Sequence, residues 1–274
     1  MGNIFTILLL QPLANGLIVF YRLLGGNMGL AIIFFSLALR FILNPLTKPY
    51  MESMKKIRRV APKLDKLKKK YKGDRVKLAQ AQSDLYKQEG INPGAGCLPY
   101  LLQIIVLIAF FNVFNRTLSQ ADPVSAFNSL LYQPLQFGAS EALNTRFLYL
   151  DLTKPDKFVV PGSPFPVPGL VLVLAAVAQF MSAKIMQPIA KAKEKLAKKT
   201  KTQEDDIQVA MQSSMTYTFP LMTVIFGLSF PSGLAIYWAL FSIWQVASQY
   251  RSTGAGGLTP MFKKLGLKTK GPES

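Results

Sequence analysis

The residue with the clearest chemical potential is an arginine inside an apolar stretch. Arg40 lies eight residues before Lys48, roughly 12 Å inside a membrane edge if the stretch is a spanning helix. A charge near the centre of a span costs about 2.5–3.5 kcal/mol on insertion scales, so something must offset it. Ser36 and Asn44 stand one helical turn to either side and share its face. The three residues predict a polar stripe that faces water and attracts acidic groups arriving from the cytoplasm.

A less specific interpretation of Arg40 is equally compatible with the sequence, since its long side chain could reach the head groups from this depth. Polar residues in the other apolar stretches could likewise bond neighbouring helices rather than line a cavity. They are Gln103, Asn112, Asn115, Gln179, Ser182, Thr216, Thr218, Thr223, Ser242 and Gln245. These stretches contain no Asp or Glu, so they offer Arg40 no carboxylate partner.

Composition argues against several kinds of catalytic site. The 274 residues include no histidine, which removes His-based triads, imidazole bases and His-ligated zinc. Cys97 is the single cysteine, so neither an intrachain disulfide nor a multi-cysteine metal site is possible. The sequence also lacks a P-loop. We therefore expect no catalytic residues, no metal and no cofactor, and predict that the protein is not an enzyme.

The chain is both apolar and basic, with 50% hydrophobic residues and a net charge of +18. The two properties occupy different segments. Because about 20 apolar residues cross a bilayer, we predict an all-α polytopic membrane protein with five spans. They cover about residues 28–46, 97–118, 169–186, 215–230 and 232–250, the last two divided at the Pro231-Ser232-Gly233 turn. Residues 1–25 are predicted to form an amphipathic helix at the interface, and a sixth span is the alternative.

Charge predicts the orientation of these spans. Residues 46–96 carry 14 Lys or Arg against 5 Asp or Glu, whereas residues 119–168 carry 3 against 4. Residues 187–214 and 251–274 are again basic. Since basic loops stay in the cytoplasm, we expect a multi-pass protein of the plasma (inner) membrane with its N-terminus outside and its C-terminus cytoplasmic.

The cytoplasmic segments have their own patterns. Apolar residues recur every three or four positions from Met51 to Tyr71, and a second helix is predicted from Arg75 to Lys87, so residues 47–96 indicate a helical hairpin. Its basic surface suits anionic lipids or ribosomal RNA, and lipid is favoured beside the membrane. No DNA partner is expected. The Gly-rich, basic tail, residues 251–274, is predicted to be disordered.

Several motifs in the same order resemble the YidC/Oxa/Alb family of membrane protein insertases. Gly26 to Ile33, Arg40 and Asn44-Pro45-Leu46-Thr47-Lys48 resemble the first core span of that family. Further similar stretches are Gln11-Pro12-Leu13, Tyr86-Lys87, Ile91-Asn92-Pro93, Gly96-Cys97-Leu98-Pro99, Phe219-Pro220-Leu221-Met222 and Phe230 to Leu234 with Tyr237. The resemblance covers about residues 11–250, and several motifs in register make it more specific than any single one.

The resemblance implies a five-span core, residues 26–250, around a hydrophilic groove that opens to the cytoplasm and to lipid and is closed outside. Arg40 would be the groove arginine, and Ser36 would take the place of a hydroxyl residue one turn earlier. Gln179 and Trp238 match other groove-lining positions. The implied clients are nascent membrane proteins, and the Sec translocon, the ribosome and the signal-recognition-particle receptor are further candidate partners. A solute channel or transporter remains the alternative function, and a membrane enzyme ranks last.

Overall fold

The computed structural model describes residues 4–71, 73–91, 98–138, 140–186, 214–264 and 266. The chain divides into two compact units, one formed by Met1–Arg40 with Val106–Ser274 and the other by Phe41–Ile105. The described part is mostly helical. Its α-helices are α1 Gln11–Leu23, α2 Met28–Lys70, α3 Arg75–Gln88, α4 Leu98–Arg116, α5 Pro123–Asn128, α6 Leu170–Met186, α7 Phe219–Gly227, α8 Ser232–Thr253 and α9 Thr259–Lys264.

Two of the described helical stretches, Thr6–Leu23 and Met28–Pro45, are long and apolar enough to cross a membrane. Three shorter apolar helices cover Leu102–Arg116, Leu170–Ile185 and Thr216–Gly227. Five-residue π-helical segments precede α1 and α7, at Thr6–Leu10 and Ser214–Thr218. Thr6–Leu23, like Met28–Pro45, is long and apolar enough to span a membrane. An interfacial helix and a sixth span therefore both remain predictions for the N-terminal segment.

Helices α6, α7 and α8 form the packed centre of the first unit. The face of α6 that is buried carries the small residues Ala175, Ala178 and Ser182 together with Leu172 and Ile185. Small side chains let helix backbones approach closely. In lipid there is no hydrophobic driving force between helices, so they associate through such close packing. Close packing along this face therefore sets the relative positions of the side chains with which α6 and α8 face each other.

We call residues 119–168, between α4 and α6, the outer segment because the sequence predicts that they lie outside the membrane. This segment departs from the all-α prediction. Strands β1 (Arg146–Phe147) and β2 (Leu150–Asp151) pair antiparallel, and so do β3 (Lys157–Phe158) and β4 (Val167–Pro168). Prolines at positions 161, 164, 166 and 168 prevent a regular helix there. Because a helix cannot form here, strand pairing satisfies some of the backbone N–H and C=O groups instead.

Asn15 joins the N-terminal helix to this outer segment. It is 4% exposed in α1, and its Nδ2 donates to the carbonyl of Leu130 at 3.1 Å while its Oδ1 accepts from the Tyr132 N–H at 2.8 Å. One amide side chain thus satisfies two backbone groups that its own helix cannot reach. A polar residue in an apolar helix is explained here by this link rather than by exposure to water.

Replacing Asn15 by leucine should lower the free energy of unfolding by about 2–3 kcal/mol. The change leaves the Leu130 carbonyl and the Tyr132 N–H without their partner, and each unsatisfied buried group costs about 1–3 kcal/mol. Thermal denaturation in detergent micelles measures the effect. Asn115→Leu is the matched control, because Asn115 is exposed near the end of α4; equal melting temperatures for the two variants would refute the bridging role.

The second unit contains residues 47–96, which the sequence predicts to form a cytoplasmic helical hairpin. The distal part of α2 carries Val60, which is buried together with Leu85 of α3 and Ile91. Asp74 begins α3 as its N-cap, accepting from the Lys77 N–H at 3.0 Å, and this hydrogen bond lowers the pKa of the Asp74 carboxyl. Local capping and a small apolar cluster thus position α3.

The described residues after α8 contradict the prediction of disorder for residues 254–264 of the tail. A turn of 3-10 helix, Gly256–Leu258, contacts α6, and α9 follows it as far as Lys264. Leu258 and Ala255 are each 2% exposed. Composition suggested disorder because glycine is frequent here, but Gly254 and Gly256 have φ of 66° and 48°, values that glycine adopts at little cost when a helix ends. The connector 187–213 and residues 267–274 lie outside the described residues.

Candidate functional site

The Arg40 side chain is half-buried in α2 and is held by a single residue of α8. Its Cζ lies 3.6 Å from the centroid of the Phe241 ring, and its Nη2 donates to the Phe241 carbonyl at 3.3 Å. Nε is buried and has no hydrogen-bond partner among the described residues. The salt bridges found in the described part of the chain do not include Arg40. The guanidinium is therefore placed by stacking and one carbonyl, without a neutralising carboxylate.

A chain of aromatic rings positions Phe241. Phe35 of α2 lies 5.9 Å from Phe110 of α4, and Phe110 stacks on Tyr237 of α8 at 4.4 Å between centroids. Tyr237 lies 6.4 Å from Phe241. Phe110 is completely buried and Tyr237 is 4% exposed. Buried aromatic pairs of this kind contribute about 0.5–1.5 kcal/mol beyond area burial, so the rings connect three helices and fix the surface on which Arg40 rests.

Ser36 lies one turn before Arg40 but does not contact it through a recorded bond. Its side chain is 4% exposed, and its Oγ donates to the carbonyl of Ile32 within the same helix. Serine hydroxyls commonly make this back-bond when they sit inside a helix. Asn44 and Gln103 belong to the second unit, and each takes part in a bonding or electrostatic interaction. Their membership of a common site with Arg40 remains a prediction.

Two of the polar residues on α6 bond neighbouring helices. Gln179 accepts from Thr223 Oγ1 of α7 at 2.5 Å, and Ser182 donates to Gln249 Oε1 of α8 at 3.0 Å. Thr223 and Ser182 are buried, whereas Gln179 is partly exposed. These contacts match the alternative that polar groups in the apolar stretches join helices. A groove-lining role for Gln179 remains a prediction.

The two remaining predicted residues are partly exposed. Asn112 of α4 donates from Nδ2 to the carbonyl of Ile108 at 2.8 Å, a bond within its own helix. Trp238 follows Tyr237 on α8 and is partly exposed. The structure thus brings together Arg40, Tyr237 and Phe241, of which only Arg40 was predicted from its own chemistry. Phe241 was missed because a phenylalanine in an apolar helix carries no signal that separates it from packing residues.

The outer segment closes against the turn between α7 and α8. Ser232 donates from Oγ to the Asp151 carbonyl at 2.9 Å and from its N–H to the Lys154 carbonyl at 2.7 Å. The Gly233 N–H points to the Leu152 carbonyl at 3.4 Å, and the Leu152 side chain is fully buried. Pro-Ser-Gly, which the sequence presented as a helix-breaking turn, is therefore also the attachment point of the outer segment.

Carboxylates of the outer segment are held by hydrogen bonds. Burial alone would raise the pKa of Asp151, but hydrogen bonds from Thr153 and Lys154 outweigh it and lower the pKa below its ordinary value. Burial raises the pKa of the Tyr149 hydroxyl, which donates to Asp156 at 3.0 Å. The described residues contain no group of three or more His, Cys, Asp or Glu that could hold a metal ion. The hydrogen bonds of Asp151, Asp156 and Tyr149 thus stabilise the fold of the outer segment.

Apolar side chains cover outward faces of several helices. On α6 the exposed residues Leu170, Val173, Leu174 and Val177 recur at helical spacing opposite the buried face. On α7, Leu221 and Ile225 are 57% and 49% exposed and lie on one face. Contiguous exposed apolar surface of this kind is uncommon on proteins that live in water. These faces are suited to contact lipid.

Comparison with known proteins gives consistent matches. The family model described as 60Kd inner membrane protein matches residues 19–254. The membrane protein insertase YidC of Syntrophobacter fumaroxidans is 30% identical over 243 residues, covering 88% of this chain and 37% of that protein. The membrane protein insertase YidC 2 of Bacillus anthracis is 30% identical over 247 residues, covering 89% of this chain and 78% of that protein.

Solved structures also match, among them one described as an active YidC insertase crystal structure with the first transmembrane domain resolved. It is 26% identical, with a TM-score of 0.48, and the match covers 85% of this chain and 45% of that one. The chain therefore spans less than half the length of some of the proteins it matches and more than three quarters of others.

Proposed function

The chain belongs to the 60Kd inner membrane protein family, the YidC-type insertases, and on that premise we propose that it inserts membrane proteins into a bilayer through a hydrophilic groove containing Arg40. The observation that carries the groove hypothesis is the guanidinium described above: half-buried, stacked on Phe241, and without a carboxylate partner among the described residues. A positive charge kept in that state attracts an acidic group on an arriving chain.

The proposed topology places five spans in the plasma membrane, with the hairpin and the C-terminus in the cytoplasm. The basic segments on one side and the near-neutral segment 119–168 on the other support this orientation. The attachment of the outer segment to Ser232 and Gly233 supports a groove that is closed at the outer end. We propose that the groove is also lined by Asn44, Gln103, Asn112, Gln179 and Trp238.

In the proposed mechanism, the short polar segment of a client hairpin enters the groove from the cytoplasm. Arg40 draws its acidic residues inward, and the polar lining replaces part of the water that those residues lose, which lowers the cost of desolvation. The apolar segment of the client then leaves sideways into lipid. Burial of that segment supplies the driving force, at about 25 cal/mol per Å² of apolar surface, and no nucleotide is required.

The clients are proposed to be nascent membrane proteins. The Sec translocon, the ribosome and the signal-recognition-particle receptor are candidate partners at the cytoplasmic face. Anionic lipids are proposed to bind the basic hairpin, where each Lys or Arg near the surface contributes about 1 kcal/mol.

Reconstitution tests the function directly. The purified chain is placed in liposomes, a small single-span client with an acidic outer tail is synthesised outside, and protease protection of that tail reports insertion. Liposomes without protein give the background, and insertion no higher than this background would refute the proposal. Release of a trapped small dye from the same liposomes, in the absence of client, would instead favour the solute channel, because a groove closed outside retains it.

A further inference from the structure

We propose that Phe241 is a positioning residue that holds the Arg40 guanidinium in the groove by a cation–π contact; this rests on the proposed function of Arg40. The 3.6 Å separation between Cζ and the ring centroid is close enough for the ring to cover one face of the guanidinium. Contacts within about 6 Å of a centroid are attractive, and they strengthen when water is excluded. The same residue also supplies the carbonyl that accepts from Nη2.

Stacking keeps the arginine available to a client in a way that an ion pair would not. A guanidinium has five N–H donors in its plane, and a ring above that plane uses none of them. A carboxylate partner would occupy two donors and neutralise the charge. In this structure Nη2 has one recorded bond, while Nε has no hydrogen-bond partner among the described residues. Donors and net charge therefore remain for an acidic residue that enters the groove.

The ring is itself held firmly enough to act as a support. Phe241 is tilted at 46° to Tyr237, which stacks on the buried Phe110 at 21°. Phe110 is also in contact with Phe114, which is completely buried. Because this support comes from α4 and α8 while Arg40 comes from α2, the contact fixes the guanidinium relative to the helices that would line the groove.

Without the ring, the long arginine side chain gains rotamers and can turn towards the head groups. The fraction of molecules with the charge inside the groove then falls. A cation–π contact that is shielded from water contributes about 2 kcal/mol, which corresponds to roughly a thirtyfold change in the ratio of molecules with the charge inside the groove to molecules with it outside. At an exposed site the effect is only about fivefold at most. Insertion by Phe241→Leu should therefore fall, by up to about thirtyfold, with Arg40 still present.

The decisive experiment replaces Phe241 by phenylalanines that carry one, two or three ring fluorines, introduced by nonsense suppression in the full chain. Each fluorine weakens the negative face of the ring with little change in size. Insertion of an acidic-tailed client into liposomes should fall stepwise along the series. Phe241→Trp, which keeps the strongest aromatic face, should retain most of the wild-type rate. A residue that only fills space would give equal rates along the series.

Two controls separate this proposal from the function on which it rests. The same fluorinated series at Phe34, an exposed ring of α2 that no recorded cation covers within the described residues, should leave insertion unchanged. If Arg40→Ala abolishes insertion but fluorination does nothing, the positioning role is wrong and the groove arginine stands. If Arg40→Ala inserts as well as wild type, the groove function itself fails.

Discussion

Arg40→Ala should reduce insertion of an acidic-tailed client to the level of protein-free liposomes. The change removes the positive charge that the proposed groove offers and leaves the Phe241 ring without the cation it covers. Arg40→Gln should behave like Arg40→Ala, since it keeps polarity and loses charge. Arg40→Lys should keep most of the activity, because an ammonium also attracts carboxylates and can lie over a ring. Protease protection of the client tail in liposomes measures all three.

The protease-protection measurement of the Arg40 variants needs two controls, a different cationic residue of the protein and a client without acidic residues in its tail. Arg116 lies at the end of α4 with an exposed side chain, so Arg116→Ala should leave insertion unchanged. A client whose acidic tail residues are changed to Asn or Gln should depend much less on Arg40. Equal dependence of acidic and neutralised clients on Arg40 would show that the arginine acts on the fold of the protein rather than on the charge of its client. Near-complete loss in Arg40→Lys would show that the planar fork is required.

The helices of the first unit were largely predictable from the sequence. Apolar length gave the stretches that became α2, α4, α6, α7 and α8, and the Pro231-Ser232-Gly233 turn gave the division between the last two. The resemblance to YidC-type insertases was confirmed by the family match over residues 19–254. These features follow from length, hydropathy and turn chemistry, which are properties of contiguous segments. The presence of five spans around a groove remains a prediction.

What the sequence could not provide were contacts between distant segments. The prediction of disorder was wrong for residues 254–264, because Leu258 is buried against α6, and composition does not reveal such a partner. Asn15 is a polar residue in an apolar helix, and it joins this helix to the outer segment through backbone groups of Leu130 and Tyr132. Phe241 became informative only once it was seen over Arg40. In each case the partner is distant in the sequence, and hydrophobic periodicity gives information only about residues that are close together in the sequence.

Asp156→Ala should lower the free energy of unfolding by about 3 kcal/mol, through the loss of a buried carboxylate that begins helix α6. Asp156 is 2% exposed; its oxygens accept from the Leu172 N–H at 2.8 Å and from the Tyr149 hydroxyl at 3.0 Å. The anion also lies at the positive end of the helix. A methyl group at Gly169 would overlap this carboxylate, so Gly169→Ala should destabilise α6 at the same place. Thermal denaturation in lipid nanodiscs measures both changes.

Asp122→Ala is the matched control for Asp156, because Asp122 also caps a helix of the outer segment. It accepts from the Ser125 N–H at 3.1 Å, but its side chain is exposed and the helix it begins has six residues. Exposed caps contribute about 1 kcal/mol, so its melting temperature should fall much less. Asp156→Asn keeps the shape and one acceptor oxygen and should lie between the two. A melting temperature for Asp156→Ala equal to that of Asp122→Ala would mean that the outer segment holds α6 through its backbone alone, by the Gly169 N–H bonded to the Asp156 carbonyl at 2.9 Å.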